Sequence, residues 1–387
     1  MGDRMTRVAV NQQVLRWAIE RSGLPPEVLR KHFPNIQEWE SGDSQPTLRQ
    51  LEDLAKRTRT PLGYLFLSKA PEDRLPIPHF RTIADEPMRR PSPNLIETVH
   101  VMERRQVWMR EFMLEQGQEP VPFVRSAALD EAPSEIAPRI RSKLGLTEGW
   151  AARHATWKEA LQSLFAAVEA AGILFVANGI VRNNPYRKLD PNEFRGFVLV
   201  DEYAPLVFVN GADGKAAQMF TLAHELAHVW FGASAAFDLR EMRPAADLTE
   251  QACNKVAAEL LVPETELGRV WPAVRRDPRP FQAVARHFKV SEIVAARRAF
   301  DLQFITRKDF LTFYEAYQER ERAAASKEEG GNFYKNQNRR VGQRFARSVI
   351  QAVKEGKLLY SDAYRLTDLY GKAFDNYAYS LGVWATS

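Results

Sequence analysis

The chain is 387 residues long, 45% apolar and 27% charged, an ordinary soluble composition with room for two or three domains and ample core. No apolar run reaches the roughly 20 residues of a membrane span, no signal-peptide pattern opens the chain, and a single cysteine, Cys253, excludes an internal disulfide framework, so a cytoplasmic location is expected. The net charge of +5 mildly favours acidic partners without establishing nucleic-acid binding.

Residues 1–72 read as a helical module. Val14, Leu15, Ala18 and Ile19 lie at helical spacing, and Ser22-Gly23 ends that helix. Residues 25–33 predict a second short helix. Residues 38–42 followed by 46–55 resemble the C-terminal half of a phage-repressor-type helix-turn-helix domain, and residues 61–67 fit its last helix. The stretch from Gly23 to Trp39 is several residues shorter than such domains require. Pro34 also breaks it where a groove-reading helix should begin. A degenerate module is expected, with DNA binding and protein contact both open.

Residues 73–150 form a connector region. Pro76, Pro78, Pro87, Pro91 and Pro93 deny regular structure to its first part. An amphipathic helix is then predicted over 95–117, with Val99, Met102, Val107, Trp108 and Phe112 inward. A further helix is predicted over 128–145.

Residues 151–318 carry the chemistry. After a helix over 157–171, the runs 196–200 and 206–209 are short, β-branched and aromatic, and are separated by a polar segment. They predict a hairpin, which serves either as a plain structural sheet or as an edge that pairs with an extended peptide. Then comes His224-Glu225-Leu226-Ala227-His228, an H-E-x-x-H motif set among Phe220, Ala223, Leu226, Ala227 and Trp230. Four residues apart on a helix, His224 and His228 aim at one point. Two imidazoles suit Zn²⁺ and leave positions for a third ligand and a water. Glu225, beside that water, is placed as the general base. The plain alternative is a helix with two hydrogen-bonded histidines, but so apolar a helix is expected to be buried, and buried imidazoles and carboxylates need partners.

A second helix is predicted upstream of Pro263, with Val256, Ala257, Leu260 and Leu261 as its apolar stripe. Glu250 and Glu259 are about two and a half turns apart and face opposite ways, so only one can reach the metal. The interval from His228 favours Glu250 as the third ligand. Asp247-x-x-Glu250 also fits a capping box, which would engage the same carboxylate. Asn254, one turn on, is placed to orient Glu250. Cys253, three residues after Glu250 on this helix, either approaches the site or serves as a small buried packing residue, and the packing role is favoured.

These segments resemble the ImmA/IrrE family of metallopeptidases. The likeness rests on strand openings at 171–173 and 194–197, the strand 205–210, the metal helix 218–228 and the second helix 250–263, in that order across roughly residues 155–300. The resemblance implies a zinc site of two histidines and one glutamate, the latter at Glu250. It also implies selective cleavage of a repressor-type protein.

Residues 281–289 and 292–302 predict two helices that complete this domain, with His287 hydrogen-bonded or at the surface. Residues 319–387 are expected to open with a charged linker, 319–331, ending in Gly330-Gly331. A helical region follows, on which Arg339, Arg340, Arg344 and Arg347 form either a nucleic-acid or acidic-partner face, or the solvated side of a packed helix. The whole predicts an α+β, mostly helical, multidomain chain with a zincin-like core. Its expected activity is zinc-dependent endoproteolysis of a repressor- or antitoxin-type protein. The alternative is a regulator that binds and sequesters such a partner, or represses transcription, over a latent zinc site. An oxyanion donor is expected but not assigned, Tyr203 and His154 being plausibly placed for it, and no membrane association is expected.

Overall fold

Apolar residues at helical spacing recur along the chain, and helices dominate the computed structural model, which describes residues 7–71, 91–233, 235–237, 248–324 and 333–383. The residues divide into two units, one up to His100 and one from Val101 onward. Most of the proline-rich connector, residues 72–90, lies outside the described residues. None of the described helices is long and apolar enough to cross a membrane.

The first unit holds α1 (Gln12–Ser22), α2 (Pro26–His32), α3 (Ile36–Ser41), α4 (Leu48–Thr58) and a 3₁₀ turn at Leu62–Phe66. Gly23, at φ 63°, closes α1 in the left-handed conformation that glycine adopts without strain. Thr47 and Gln50 cap α4 reciprocally. Two small cores form, Val14, Trp17, Leu51 and Leu65 in one, and Leu15, Leu29, Ile36, Trp39 and Leu54 in the other. The short stretch before Trp39 does hold two helices, of 7 and 6 residues. The second presents Gln37 and Glu38 outward.

Helix α5 (Pro93–Glu115) is followed by α6 (Pro133–Lys143) and α7 (Trp157–Ala170). Val99 and Met102 are buried as expected, but Val107 is 55% exposed. Arg105 takes an inward place instead, donating to the carbonyls of Leu366 and Arg340 and pairing with Asp368. Its donors find acceptors there, so burial is tolerated.

Strands β1 (Leu174–Asn178), β2 (Gly196–Leu199) and β3 (Leu206–Asn210) follow, then α8 (Lys215–Phe231), β4 (Ala235–Phe237) and α9 (Leu248–Leu261). The sheet order is β1-β3-β2-β4. β1 and β3 are parallel, while β2 is antiparallel to both β3 and β4. Thus the predicted β2–β3 hairpin forms, but β2 is an interior strand because β4 takes its other side. Phe175, Ala177, Val198, Val207 and Val209 join one core with Leu161 and Leu164 of α7 and Leu222 and Leu226 of α8. Phe197 and Phe208, facing each other across strands, stack at 4.9 Å.

Helices α10 (Glu264–Val274), α11 (Pro280–Phe288), α12 (Glu292–Asp301) and α13 (Arg307–Ala324) come next. The expected linker does not begin at residue 319, since α13 continues through residue 324. Glu, Arg and Ala there are strong helix formers, and that propensity outweighs the charge of the run. The remainder of the expected linker, from 325, lies outside the described residues. Last are α14 (Phe333–Val341), α15 (Gln343–Lys354), α16 (Tyr360–Thr367) and α17 (Lys372–Ser380). The arginine face is partly drawn inward. Arg339 lies over the Phe165 ring, and the Arg344 backbone N–H donates to Glu169, while Arg347 stays exposed.

Candidate metal centre

Every residue of α8 from Gln218 to Trp230 is buried. A helix apolar on all sides belongs inside a domain, and burying Leu222, Leu226, Val229 and Trp230 contributes on the order of 1.5–3 kcal/mol each. Gly232 ends the helix at φ 77°, its N–H donating to the His228 carbonyl. α9 packs against this helix and is pinned by two buried ion pairs. Arg141 of α6 donates to Leu260 O and pairs with Glu266 at 2.6 Å. Arg298 of α12 donates to Val262 O and pairs with Glu259. Glu259 thus serves α12 and faces away from the histidines, as the helical period requires.

At the crossing of α8 and α9 three side chains converge. His224 Nε2 lies 3.0 Å from His228 Nε2 and 3.1 Å from Glu250 Oε2, and His228 Nε2 lies 3.3 Å from Glu250 Oε1. Both imidazoles are fully buried. Asn254 Oδ1 stands 3.1 Å from His224 Nδ1, so the His224 proton sits on Nδ1 and the Nε2 lone pair turns inward. Asn254 therefore orients the imidazole and not, as expected, the Glu250 carboxylate. Asp247, the other half of the alternative capping box, lies outside the described residues.

Three electron-pair donors now face one another with at most the His228 proton to share. A tetrahedral zinc with ligands at about 2.0–2.1 Å requires them about 3.3 Å apart. The observed separations match that spacing, and the donor set of two imidazoles and a carboxylate suits the ion. Burial drives the His224 pKa down to about 4, with Glu250 acting against it. Glu250 is held below the usual carboxylate range; its partial burial opposes this, but the two histidines win. His224 and Glu250 are thus held in the deprotonated forms that a metal needs at neutral pH.

Glu225 has neither oxygen exposed nor hydrogen-bonded among the described residues. Burial first, and the charge of Glu250 second, raise its pKa well above the ordinary value. A carboxyl so placed holds a proton readily, the property of a group that takes and returns one.

Residues 184–300, which contain every one of these side chains, match the family model of the IrrE N-terminal-like domain of M78 peptidases. This segment is similar to the peptidase domain of the ImmA/IrrE family. Residues 341–379 match a domain of unknown function, DUF8813. No curated protein and no solved structure matches the chain significantly.

Two further features stand at this site, the first not anticipated and the second left open by the sequence. One is Gly196 of β2, where a Cβ would stand 2.6 Å from Thr221 Cγ2, 2.8 Å from Phe208 O and 3.2 Å from Glu225 Oε1. Only glycine lets β2 lie this close to the base, and the lone Gly opening a β-branched run was its signal. The other is Cys253, whose Sγ and one nitrogen from each of His224 and His228 all lie within 4.8 Å of one another. Tyr203 faces Arg110 and His154 faces Trp150. His287 packs on Phe288, and burial lowers its pKa.

Proposed function

We propose that the protein is a zinc-dependent endopeptidase that cuts a specific regulatory protein of repressor or antitoxin type. The observation that carries the reading is the facing of His224 Nε2, His228 Nε2 and Glu250 across 3.0–3.3 Å with too few protons to bond them. A divalent cation removes that conflict. His224, His228 and Glu250 would hold it, and when bound it supplies an acidified water and polarisation of the scissile carbonyl.

The chain's own side chains do the rest. Glu225, with both oxygens free of other hydrogen bonds, accepts a proton from the attacking water and returns it to the leaving amine. Asn254 keeps His224 in the tautomer that presents Nε2. Gly196 allows β2 to wall the base from bulk water, which keeps its basicity tuned by burial. Enclosure by α8, α9 and β2 suits a single extended target better than general digestion.

The product of the adjacent gene is the substrate to try first. Incubated with this protein, it is expected to give discrete fragments, and a chelator should stop the cutting. A stable complex without fragments would instead establish a sequestering protein.

A further inference from the structure

We propose that Cys253 is a fourth protein ligand of the metal, closing the site in its resting state. The inference rests on the zinc reading above and adds a regulation to it. Glu250 and Cys253 stand three residues apart on α9, hence on one face, and that face meets α8. Cys253 is fully buried. Its Sγ and a nitrogen from each imidazole fall within one 4.8 Å cluster. A tetrahedral ion with a sulfur ligand at about 2.3 Å needs a sulfur–nitrogen separation of about 3.6 Å. The thiol therefore lies near enough to both imidazoles for a movement of one side chain to bring it to a shared ion.

A second observation points to a cation at this place. Both oxygens of Glu225, next to His224 on α8, are buried and without hydrogen bonds among the described residues, an unpartnered polar group that a cation in this cluster would serve. A thiol entering such a set loses its proton on binding, since coordinated sulfur is a thiolate. Two imidazoles, a carboxylate and a thiolate complete four-coordination, which is the arrangement of structural rather than catalytic zinc. Opening is the reverse exchange. Cys253 leaves with a proton, one coordination position is freed, and the domain becomes competent. Latency is then built into α9 itself, and a movement of that helix on partner binding would release it.

The test is the optical spectrum of the full-length protein loaded with cobalt(II), in wild type, Cys253→Ala and Cys253→Ser. Ser keeps the volume should Ala unfold. Visible ligand-field bands report cobalt in the site, and a near-ultraviolet thiolate-to-cobalt charge-transfer band reports sulfur. The proposal expects both signals in wild type and the ligand-field bands alone in both variants. Ligand-field bands in wild type with no charge-transfer band would overturn the sulfur ligand and leave the three-ligand site standing. Absence of any cobalt spectrum would overturn both.

Discussion

His224 Nε2 faces Glu250 Oε2 at 3.1 Å, and neither atom has a proton to place between them. The contact of His224 Nδ1 with Asn254 Oδ1 fixes that outcome by holding the imidazole proton on the far side of the ring. A carboxylate accepts only. With both imidazoles buried and Glu250 only partly exposed, such a pair of acceptors is repulsive unless a cation joins them.

Asn254 should therefore govern metal affinity. Asn254→Ala is expected to weaken zinc binding by about 10–100-fold, the usual cost of losing a partner behind a metal-bound histidine. Asn254→Asp, which keeps an acceptor for Nδ1–H, should recover most of it. Competition with a chromophoric chelator measures both, and equal weakening in the two variants would contradict the assignment.

Glu225→Gln should keep wild-type zinc content while cleavage falls by about 10²–10⁴-fold. It should also stabilise the metal-free protein. Burial raises the Glu225 pKa above its unfolded value, so its contribution to stability is full below the unfolded pKa and is lost as pH rises toward the folded one. Gln has no such loss. In excess chelator the variant's advantage in Tm should grow from pH 5 to pH 8. An advantage that shrinks over that range would contradict the sign.

Gly196→Ala places a methyl group against Thr221, Phe208 O and Glu225 Oε1. Overpacking of this kind costs about 1–3 kcal/mol, and thermal unfolding should show it as a fall of several degrees. Zinc content should hold while cleavage drops, because the methyl group displaces the base and not the ligands.

Arg141→Ala strands Glu266 in a buried pair that also fastens the end of α9. The expected loss is about 3–5 kcal/mol, read by denaturant unfolding. Zinc should bind more weakly as well, since Glu250 rides on the same helix.

Much of the site was legible because the chemistry is local. His224, Glu225 and His228 lie within one helical turn and a half, so spacing alone fixes their common direction. Helical phase excluded Glu250 and Glu259 as joint ligands, the interval from His228 favoured Glu250, and the structure gives Glu259 to Arg298. What escaped needed the third dimension. β4 is three residues long, too short for a period of two to show. The nearness of Gly196 to Glu225 depends on how β2 packs on α8, and the same packing of α9 decides that Cys253, which the sequence left open, lies near the imidazoles. Residues 319–324 were misjudged because charge was weighed above helix propensity. Val107 faces outward because Arg105, with three acceptors waiting, fills the inward place.

Metal content tests the whole most directly. Elemental analysis of the full-length protein, purified without added metal and then dialysed against zinc, should find about one zinc per chain. The His224→Ala, His228→Ala double variant should retain none. Equal zinc in the two proteins, or a wild-type protein that takes up none, would contradict a metal centre at the crossing of α8 and α9.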